Sequence, residues 1–477
     1  MSDSLVELLD TVASRDADFI VGRRDGKPVR NAALLQRIGA WRCLLRQASG
    51  QRYALYQDDS IEFAAAMLGA WLAGKTVWLT ADTLPATCAA LHSSVDGFLG
   101  EFPPQWAPLA PTAEAEADSQ LTPLANAGND FIALVVHTSG TTGAAQAIPK
   151  RLSQLTTEVA TLESLFGARI GRAAIVATVS HHHIYGFLFK VLWPLASGRA
   201  IHARMQSFPE ELMRMLAEEK CALVASPAYL KRLPDHLAWS QVSTQLVAVF
   251  SSGGPLPAET AQAVGDLLRQ TPIEVYGSSE TGGIAWRERV DLARDAWQAM
   301  PGVACRIADD GSLEVRSPHL ADSNWLRLAD RATTHGGGCF QLQGRSDRIA
   351  KIEEKRISLD AIENLLHASE FVDEARVIVP DDEPVQRQRI AAFIVPSAQG
   401  SAVLATEGKL ALNNRLRDAL LASVEPIALP RRWRYLDALP SNAQGKTTHA
   451  LLMALLDERP RTPRVRELAR EDNRVAL

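Results

Sequence analysis

Short apolar runs that are typical of buried strands alternate with helical patterns along most of this chain, and this alternation limits its possible folds most strongly. Three of these runs, rich in Val and Ile, are Phe131–His137, Ala173–Ser180 and Gln245–Phe250. Helical patterns separate such runs, as at Ile61–Ala73, which Gly74 ends. The alternation predicts an α/β fold with β-sheets flanked by helices.

Length and charge narrow the classes of protein further. A chain of 477 residues is long enough for two or three domains. The net charge of -5 argues against a nucleic-acid-binding surface, which needs clustered basic residues. The opening residues lack the pattern of a secretory signal, and no apolar run is long enough to span a membrane, so we expect a cytoplasmic protein.

The five cysteines do not suggest a disulfide framework or a metal site. Their number is odd, and no two of them have the spacing of a metal knuckle or a redox pair. We therefore expect scattered, reduced thiols.

The sequence TSGTTG directly follows the first of the strand-like runs. Its glycines permit a tight turn and close approach to a ligand, while its hydroxyls and amides converge as phosphate-binding groups do. It is not a Walker loop, because the Gly-Lys-Ser/Thr ending is missing. The predicted phosphate loop consists of Thr138, Ser139, Gly140, Thr141, Thr142 and Gly143.

Two further glycine-rich segments also follow strand-like runs. In FSSGGPL, Gly253 and Gly254 would allow the backbone to pack flat against a planar ligand. The other segment, VYGSSETGG, contains Tyr276, Gly277, Ser278, Ser279, Glu280 and Thr281. A carboxylate such as Glu280 is a suitable Mg²⁺ ligand in a phosphate-rich site.

Two motifs near the C-terminal end complete an ordered series. GRSDRIAK at 344–351 precedes a stretch that reads as a helix, Ile352–Leu366, and PSNAQGK ends at Lys446. In order and rough spacing, the motifs resemble those of the acyl-adenylating superfamily, which comprises acyl-CoA synthetases, nonribosomal adenylation domains and luciferase-like enzymes. The resemblance covers about Ala32 to Leu456.

The resemblance implies two domains and a role for each motif. Residues 1–346 would form the AMP-binding and substrate domain, and 347–477 a small mobile lid, with Asp347 as the hinge. For the nucleotide, the resemblance implies that Asp330 binds the ribose with support from Arg345 and that Tyr276 packs on adenine. Thr281 and Glu280 would make contacts around the α-phosphate and Mg²⁺. Lys446 would be the catalytic lysine, and His183 and Tyr185 would lie at the acyl pocket.

The implied reaction is the ATP-dependent adenylation of a carboxylic acid, followed by acyl transfer to the thiol of CoA or of a carrier-protein phosphopantetheine. Because the acid and the phosphates are all anionic, catalysis consists mainly of alignment and charge neutralisation. Lys446 would bridge the carboxylate and the α-phosphate, while the phosphate loop would hold pyrophosphate. A degenerate member that binds nucleotide or acyl chains without turnover is the alternative outside this class.

Two positions depart from the superfamily pattern. The lysine that usually follows the phosphate loop is Gln146 in an ungapped alignment, and Lys150 appears four residues later. Either Gln146 replaces the charge or Lys150 reaches back, and we favour replacement. Glu354 stands where the superfamily usually has glycine on the thioester-forming face, which favours a carrier protein or a differently placed CoA as acceptor.

The identity of the acid depends on a narrower resemblance. KIEEKRISL is similar to adenylating ligases associated with aryl-polyene synthesis, which implies an aryl acid; a fatty or 3-hydroxy acid is the alternative. The run His181-His182-His183 also suggests a metal site. Neighbouring side chains on a regular element diverge, so we favour a role for His183 at the acyl pocket.

Overall fold

A computed structural model of the chain describes residues 4–112, 121, 130–138, 146–290, 295–345, 348–352, 355–380, 389–421, 424, 426–442 and 445–457. Its contacts divide the chain into two compact units. The first consists of Met1–Arg348 and Ala443–Lys446, and the second of Ile349–Asn442 and Thr447–Leu477.

The first unit contains the following helices, with a π-helical segment at Phe187–Leu192 and 3₁₀ turns at Pro104–Trp106, Trp239–Gln241 and Ser243–Gln245: α1 Ser4–Ala13, α2 Asn31–Gln47, α3 Ser60–Leu72, α4 Pro85–His92, α5 Leu152–Ile170, α6 Ile184–Gly186, α7 Trp193–Ser197, α8 Pro209–Glu218, α9 Pro227–Leu230 and α10 Ala258–Leu268.

The strands of the first unit are β1 Ile20–Arg24, β2 Lys27–Arg30, β3 Arg52–Tyr56, β4 Thr76–Leu79, β5 Gly97–Gly100, β6 Ile132–Thr138, β7 Gln146–Arg151, β8 Ala174–Ala177, β9 Ile201–His202, β10 Cys221–Ala225, β11 Leu246–Ser251, β12 Ile273–Ser278, β13 Gly282–Glu288, β14 Trp297–Ala299, β15 Ala304–Ile307, β16 Ser312–Arg316, β17 Leu326–Thr334 and β18 Cys339–Arg345.

Two sheets organise this unit. A 13-stranded sheet has the order β15-β16-β17-β18-β14-β13-β12-β11-β10-β8-β9-β1-β2, and a five-stranded sheet has the order β5-β3-β4-β6-β7. Strands β8, β10, β11 and β12 are parallel neighbours. Because β8 and β10 are buried along their whole length, their sequences are continuously apolar rather than alternating.

Helix α3 shows why the apolar pattern was readable from sequence. Asp59 caps its N-terminus by accepting hydrogen bonds from the amides of Ile61 and Glu62, both at 2.9 Å. Gly74, with φ of 72°, follows its C-terminal end. The helix is buried on all sides in the core of the first unit, as its nearly unbroken apolar sequence requires.

The second unit has its own sheets and core. Its elements are β19 Ile349–Ile352, β20 Lys355–Ser358, α11 Leu359–His367, β21 Val372–Ile378, β22 Ala391–Pro396, α12 Ala398–Thr406, α13 Lys409–Leu421, a 3₁₀ turn at Pro426–Ala428, β23 Arg432–Tyr435 and α14 His449–Asp457. Strands β19 and β20 form one sheet, and β21, β22 and β23 form another. Helix α11 packs on β21 and α12 on β22, while α13 packs on α11 and α12.

The helical reading of 352–366 was wrong in its first part. Lys355–Ser358 is strand β20, which pairs antiparallel with β19, so that Ile349 lies opposite Ser358. The helix begins only at Leu359, where the Ser358 hydroxyl accepts a hydrogen bond from the amide of Ala361 at 3.2 Å. Pairing with a neighbouring strand therefore overrode a charge-rich sequence that reads as helical.

Within the described part of the chain, no helix combines the length and the apolar character that crossing a membrane requires. The cytoplasmic location stays a prediction.

Candidate active site

Strands β6 and β7 frame the predicted phosphate loop. Thr138, the last residue of β6, pairs with Gln146, the first residue of β7, so the backbone is defined on both sides of the loop. Five of the predicted loop residues lie outside the described residues: Ser139, Gly140, Thr141, Thr142 and Gly143.

Lys150 lies further along β7 and points away from solvent. Its residue is 2% exposed, and its Nζ donates a hydrogen bond to the backbone carbonyl of Glu280 at 2.9 Å. Burial lowers the pKa of Lys150, while the negative charges of Glu158 and Glu280 oppose this shift. One side chain thus joins the strand after the phosphate loop to the turn that carries the candidate metal ligand.

That turn connects the antiparallel strands β12 and β13. The Thr281 hydroxyl accepts a hydrogen bond from the Ser278 amide at 2.9 Å and donates one to the Gly282 carbonyl at 2.8 Å. Thr281 is fully buried, and its hydroxyl serves the turn itself. Glu280 is exposed beside it, as are Gly277 and Ser278, while Ser279 is half-buried.

Buried polar side chains from other parts of the first unit also support this turn. The Gly283 amide donates to Glu158 Oε1 at 2.6 Å, and Nδ1 of the His319 ring lies 3.0 Å from the Gly283 carbonyl. Gln154 in turn donates from Nε2 to the His319 carbonyl at 2.8 Å. Gly282 has φ of 66°, and a Cβ there would lie 2.7 Å from Glu158 Oε2.

Sequence reasoning missed Glu158, Gln154 and His319. Glu158 and Gln154 belong to α5, and His319 follows β16, so all three are remote in sequence from the turn. A carboxylate at an otherwise apolar helix position was the only available signal, and it did not identify the partner.

Strands β12, β17 and β18 bring together the residues assigned to the nucleoside. Asp330 pairs with Arg345 across β17 and β18, and Arg345 Nη1 donates to Asp330 Oδ2 at 3.2 Å. Burial, followed by the charge and hydrogen bonding of Asp330, raises the pKa of the Tyr276 hydroxyl. The Tyr276 ring packs against Trp297, with 5.4 Å between ring centroids. Tyr276, Asp330 and Arg345 therefore form one connected group.

The loop after β11 lies beside β12. The Ser252 hydroxyl donates to the Val275 carbonyl at 2.8 Å, which ties the two segments together. Gly253 and Gly254 follow and are exposed. Gly253 has φ of 88°, a conformation that favours glycine, with open space around the position of its missing side chain.

The acyl-pocket segment begins the helical region after β8. Among the described residues, Nε2 of His183 is buried without a hydrogen-bond partner. Burial, followed by the charge of Lys446, lowers the pKa of His183 to about 4, which keeps the ring neutral. The Tyr185 hydroxyl donates to the Ala225 carbonyl at 3.3 Å, and its ring contacts Phe189.

The two preceding histidines have structural contacts. His181 Nε2 lies 2.8 Å from the Gln57 carbonyl, and His182 Nε2 accepts a hydrogen bond from the Gln57 amide at 3.2 Å. The His182 ring stacks on Tyr56 with 4.1 Å between centroids. In the described ranges, no cluster of three or more His, Cys, Asp or Glu side chains has the arrangement of a metal site.

Lys446 belongs by its contacts to the first unit. The residue keeps an exposed surface, yet surrounding protein displaces enough solvent to lower the pKa of its ammonium group, and the charge of Glu280 opposes this shift. The predicted hinge residue Asp347 and the unusual Glu354 lie outside the described residues.

Comparison with known families and structures agrees with this arrangement. Residues 92–320 match the AMP-binding enzyme family, and residues 361–446 match the AMP-binding enzyme C-terminal domain. The chain belongs to the AMP-binding enzyme family.

Its relatives include ligases of aromatic acids. The chain is 29% identical to the 4-coumarate–CoA ligase of Rhodobacter capsulatus over 65% of this chain and 74% of the relative. It is 27% identical to the p-hydroxybenzoic acid–AMP ligase FadD22 of Mycobacterium marinum over 73% of this chain and 52% of the relative.

Solved structures of low identity share the fold. ATP-bound MatB from Rhodopseudomonas palustris superposes with a TM-score of 0.75 at 19% identity, over 95% of this chain and 99% of MatB. A benzoate CoA ligase from Burkholderia xenovorans superposes with a TM-score of 0.73 at 19% identity, over 95% and 100% of the two chains. The predicted superfamily, α/β fold class and enzyme class, an acid–thiol ligase, are confirmed. The residue roles stay predictions.

Proposed function

We propose that this chain activates an aryl carboxylic acid with ATP and Mg²⁺, forming an acyl adenylate and pyrophosphate, and then passes the acyl group to a thiol. The observation that carries the proposal is the connected group Tyr276, Asp330 and Arg345. Tyr276 lies on β12, and the exposed residue Glu280 lies in the turn that follows this strand. The proposed nucleoside site and the proposed phosphate–metal site would then lie next to each other, at β12 and at the turn that follows it.

The proposed nucleotide contacts follow from the chemistry of these side chains. Asp330 would accept hydrogen bonds from the ribose hydroxyls, while its ion pair with Arg345 orients the carboxylate. The Tyr276 ring would pack on adenine. Gly253 and Gly254 would leave space for the planar base.

The first half-reaction brings an anionic acid to an anionic phosphate, so neutralisation of charge is the main requirement. Lys446 would bridge the acid carboxylate and the α-phosphate, because its ammonium lies within electrostatic range of Glu280. Glu280 fits Mg²⁺, a cation that prefers carboxylate and phosphate oxygens, and the bound ion would screen the phosphate charges. The acid is already ionised at neutral pH and needs no general base.

The acid would bind beside His183 and Tyr185. His183 is neutral, and its buried Nε2 has no hydrogen-bond partner among the described residues, so it can contribute one hydrogen bond without adding charge. The names of the 4-coumarate and p-hydroxybenzoic acid relatives support an aryl acid over a fatty or 3-hydroxy acid.

The acceptor in the second half-reaction would be CoA or the phosphopantetheine of a carrier protein. Relatives named as CoA ligases support the first choice, and the relative named as an AMP ligase supports keeping the second. We propose that 347–477 acts as a lid that turns at Asp347 between the two half-reactions, as the superfamily resemblance implies.

The test is ATP–pyrophosphate exchange with a panel of hydroxybenzoic, hydroxycinnamic, fatty and amino acids. This assay reports adenylation without requiring the acceptor. We expect exchange that depends on an aryl acid. Holo carrier protein and free CoA are then compared as acceptors of the best acid. If no acid in the panel supports exchange, the chain binds nucleotide without turnover and the proposal is wrong.

A further inference from the structure

A buried lysine outside the predicted catalytic set contacts the turn that carries the candidate metal ligand. We propose that Lys150 is a positioning residue that holds the Glu280 peptide in place for Mg²⁺-dependent binding of ATP. The inference rests on the proposed function, because it assigns to Glu280 the role of a Mg²⁺ ligand.

The first observation is the direction of the Lys150 side chain. It leaves β7 at a position that pairs with Leu134 of β6, and its Nζ reaches the Glu280 carbonyl at 2.9 Å. Gln146 begins the same strand, four residues away, which is about 13 Å in extended backbone. The ammonium is thus engaged with the turn after β12.

The second observation is the cost of this arrangement. A buried ammonium loses hydration free energy, which an apolar side chain at the same place would not lose. Lys150 is 2% exposed, and its hydrogen bond goes to the backbone carbonyl of Glu280, an exposed residue, while the charge of Glu158 offsets part of the cost. A charge kept at such a cost indicates that the position of this turn matters.

The third observation is that the contacts with Glu158 and His319, among the described residues, are made at Gly283 and not at Glu280. Glu158 accepts from the Gly283 amide at 2.6 Å, and the His319 ring contacts the Gly283 carbonyl. These contacts hold the end of the turn that enters β13. Lys150 holds the Glu280 peptide itself, so its loss frees the residue whose carboxylate would bind the metal.

The test variant is Lys150→Met, which keeps most of the side-chain volume and removes the charge and the donor. We expect the Mg²⁺ concentration for half-maximal ATP–pyrophosphate exchange to rise about 10- to 100-fold, the usual effect of removing a group that orients a metal ligand. Calorimetric titration without acid should show weaker ATP binding in Mg²⁺ and unchanged ATP binding in EDTA.

The matched control is Lys75→Met. Lys75 is also a buried lysine, 6% exposed, whose Nζ donates to the Gly50 carbonyl at 2.6 Å, but it precedes β4 and serves the core. The Lys75→Met variant should lose thermal stability without a change in the Mg²⁺ concentration that it requires. If Lys150→Met behaves in the same way, Lys150 is only structural and the inference is wrong. Equal loss of ATP affinity with and without Mg²⁺ would also overturn it, because it would indicate direct phosphate contact.

A double-mutant cycle with Glu280→Gln tests whether Lys150 changes the Mg²⁺ requirement through Glu280. If Lys150 acts through Glu280, Lys150→Met should change the Mg²⁺ requirement less than about two-fold in the Glu280→Gln background. Fully additive effects would refute this route. Should Lys150→Met fail to fold, Lys150→Gln replaces it in both experiments. Absence of acid-dependent exchange in the unmodified protein would instead refute the proposed function, and the ATP titrations would still test the role of Lys150.

Discussion

At the scale of single residues, the environment of each ionisable group separates residues that resemble one another in sequence. Lys150 and Lys446 both lie within electrostatic range of Glu280, yet Lys150 is buried and bonded to a backbone carbonyl, while Lys446 keeps an exposed surface. His182 and His183 are adjacent, but only His183 has a ring nitrogen without a partner among the described residues. The surroundings of a residue, rather than its type, indicate its role.

Changing Lys446→Ala should abolish adenylation and leave ATP binding nearly intact. The ammonium is expected to stabilise charge in the transition state, and loss of one such group typically slows a reaction about 100- to 1000-fold. The measurement is ATP–pyrophosphate exchange together with calorimetric ATP binding. Lys220→Ala, at an exposed position, is the control. Full exchange activity in Lys446→Ala would disprove the assignment.

His182 should make the stability of the protein depend on pH. Burial, followed by the charges of His183 and Lys190, lowers the pKa of His182 to about 3, from an ordinary value of 6.5. Between these values the unfolded chain binds more protons than the folded one, so the free energy of unfolding falls as the pH falls. Protonation would also replace the lone pair on Nε2 that accepts the Gln57 amide.

The measurement is urea unfolding from pH 7 down to pH 4 for the unmodified protein and for His182→Gln, which removes the titrating group. We expect a shallower decline for the variant. A decline of equal slope in both proteins would assign the acid sensitivity to other groups.

At the scale of elements, the hairpin of β12 and β13 depends on segments remote in sequence. Its turn is held by Lys150 from β7, by Glu158 from α5 and by His319 after β16. Such a turn can stay in one position although its own sequence is rich in glycine and serine. The candidate metal ligand therefore lies on a turn fixed by three other parts of the first unit.

Gly282→Ala should disrupt this turn. The positive φ of Gly282 costs alanine about 1–2 kcal/mol, and the new Cβ would also lie 2.7 Å from Glu158 Oε2. We expect lower thermal stability and weaker ATP binding in Mg²⁺. Gly336→Ala, with φ of 76° and no atom within 4 Å of its Cβ position, is a matched control that carries the backbone cost alone. Equal effects of the two changes would show that contact with Glu158 is unimportant.

At the scale of the whole molecule, each compact unit has a hydrophobic core of its own. The core of the second unit includes Leu412, Leu416 and Leu420, which recur every four residues on one face of α13. The core of the first unit lies around α3 and the parallel strands. Loss of packing in one unit should therefore leave the other folded.

Leu416→Ala should destabilise the second unit by about 2–5 kcal/mol, the usual cost of truncating a buried leucine. Differential scanning calorimetry should show one unfolding transition shifted to lower temperature, while ATP still raises the transition of the first unit. Leu410→Ala, 72% exposed on the same helix, is the control. A single transition that shifts as a whole would contradict independent cores.

The sequence by itself determined the features that local chemistry dictates. The apolar runs at β6, β8 and β11 and the C-terminal end of α3 were readable because burial and backbone conformation restrict which residues fit. The ordered motifs, from Thr138 to Lys446, were sufficient for the superfamily. The superfamily resemblance assigned Tyr276, Asp330 and Arg345 to a nucleotide site before any contact among them was known.

Only the tertiary structure decided which distant residues meet. The pairing of Asp330 with Arg345, the bond from Lys150 to Glu280 and the support from Glu158 each join segments separated in the chain. Strand β20 was read as helix for the same reason, since its partner strand β19 stabilises it. Local sequence patterns specify which helices and strands can form. Contacts between remote segments depend on the packing of the whole core, and a short-range sequence pattern therefore does not predict them.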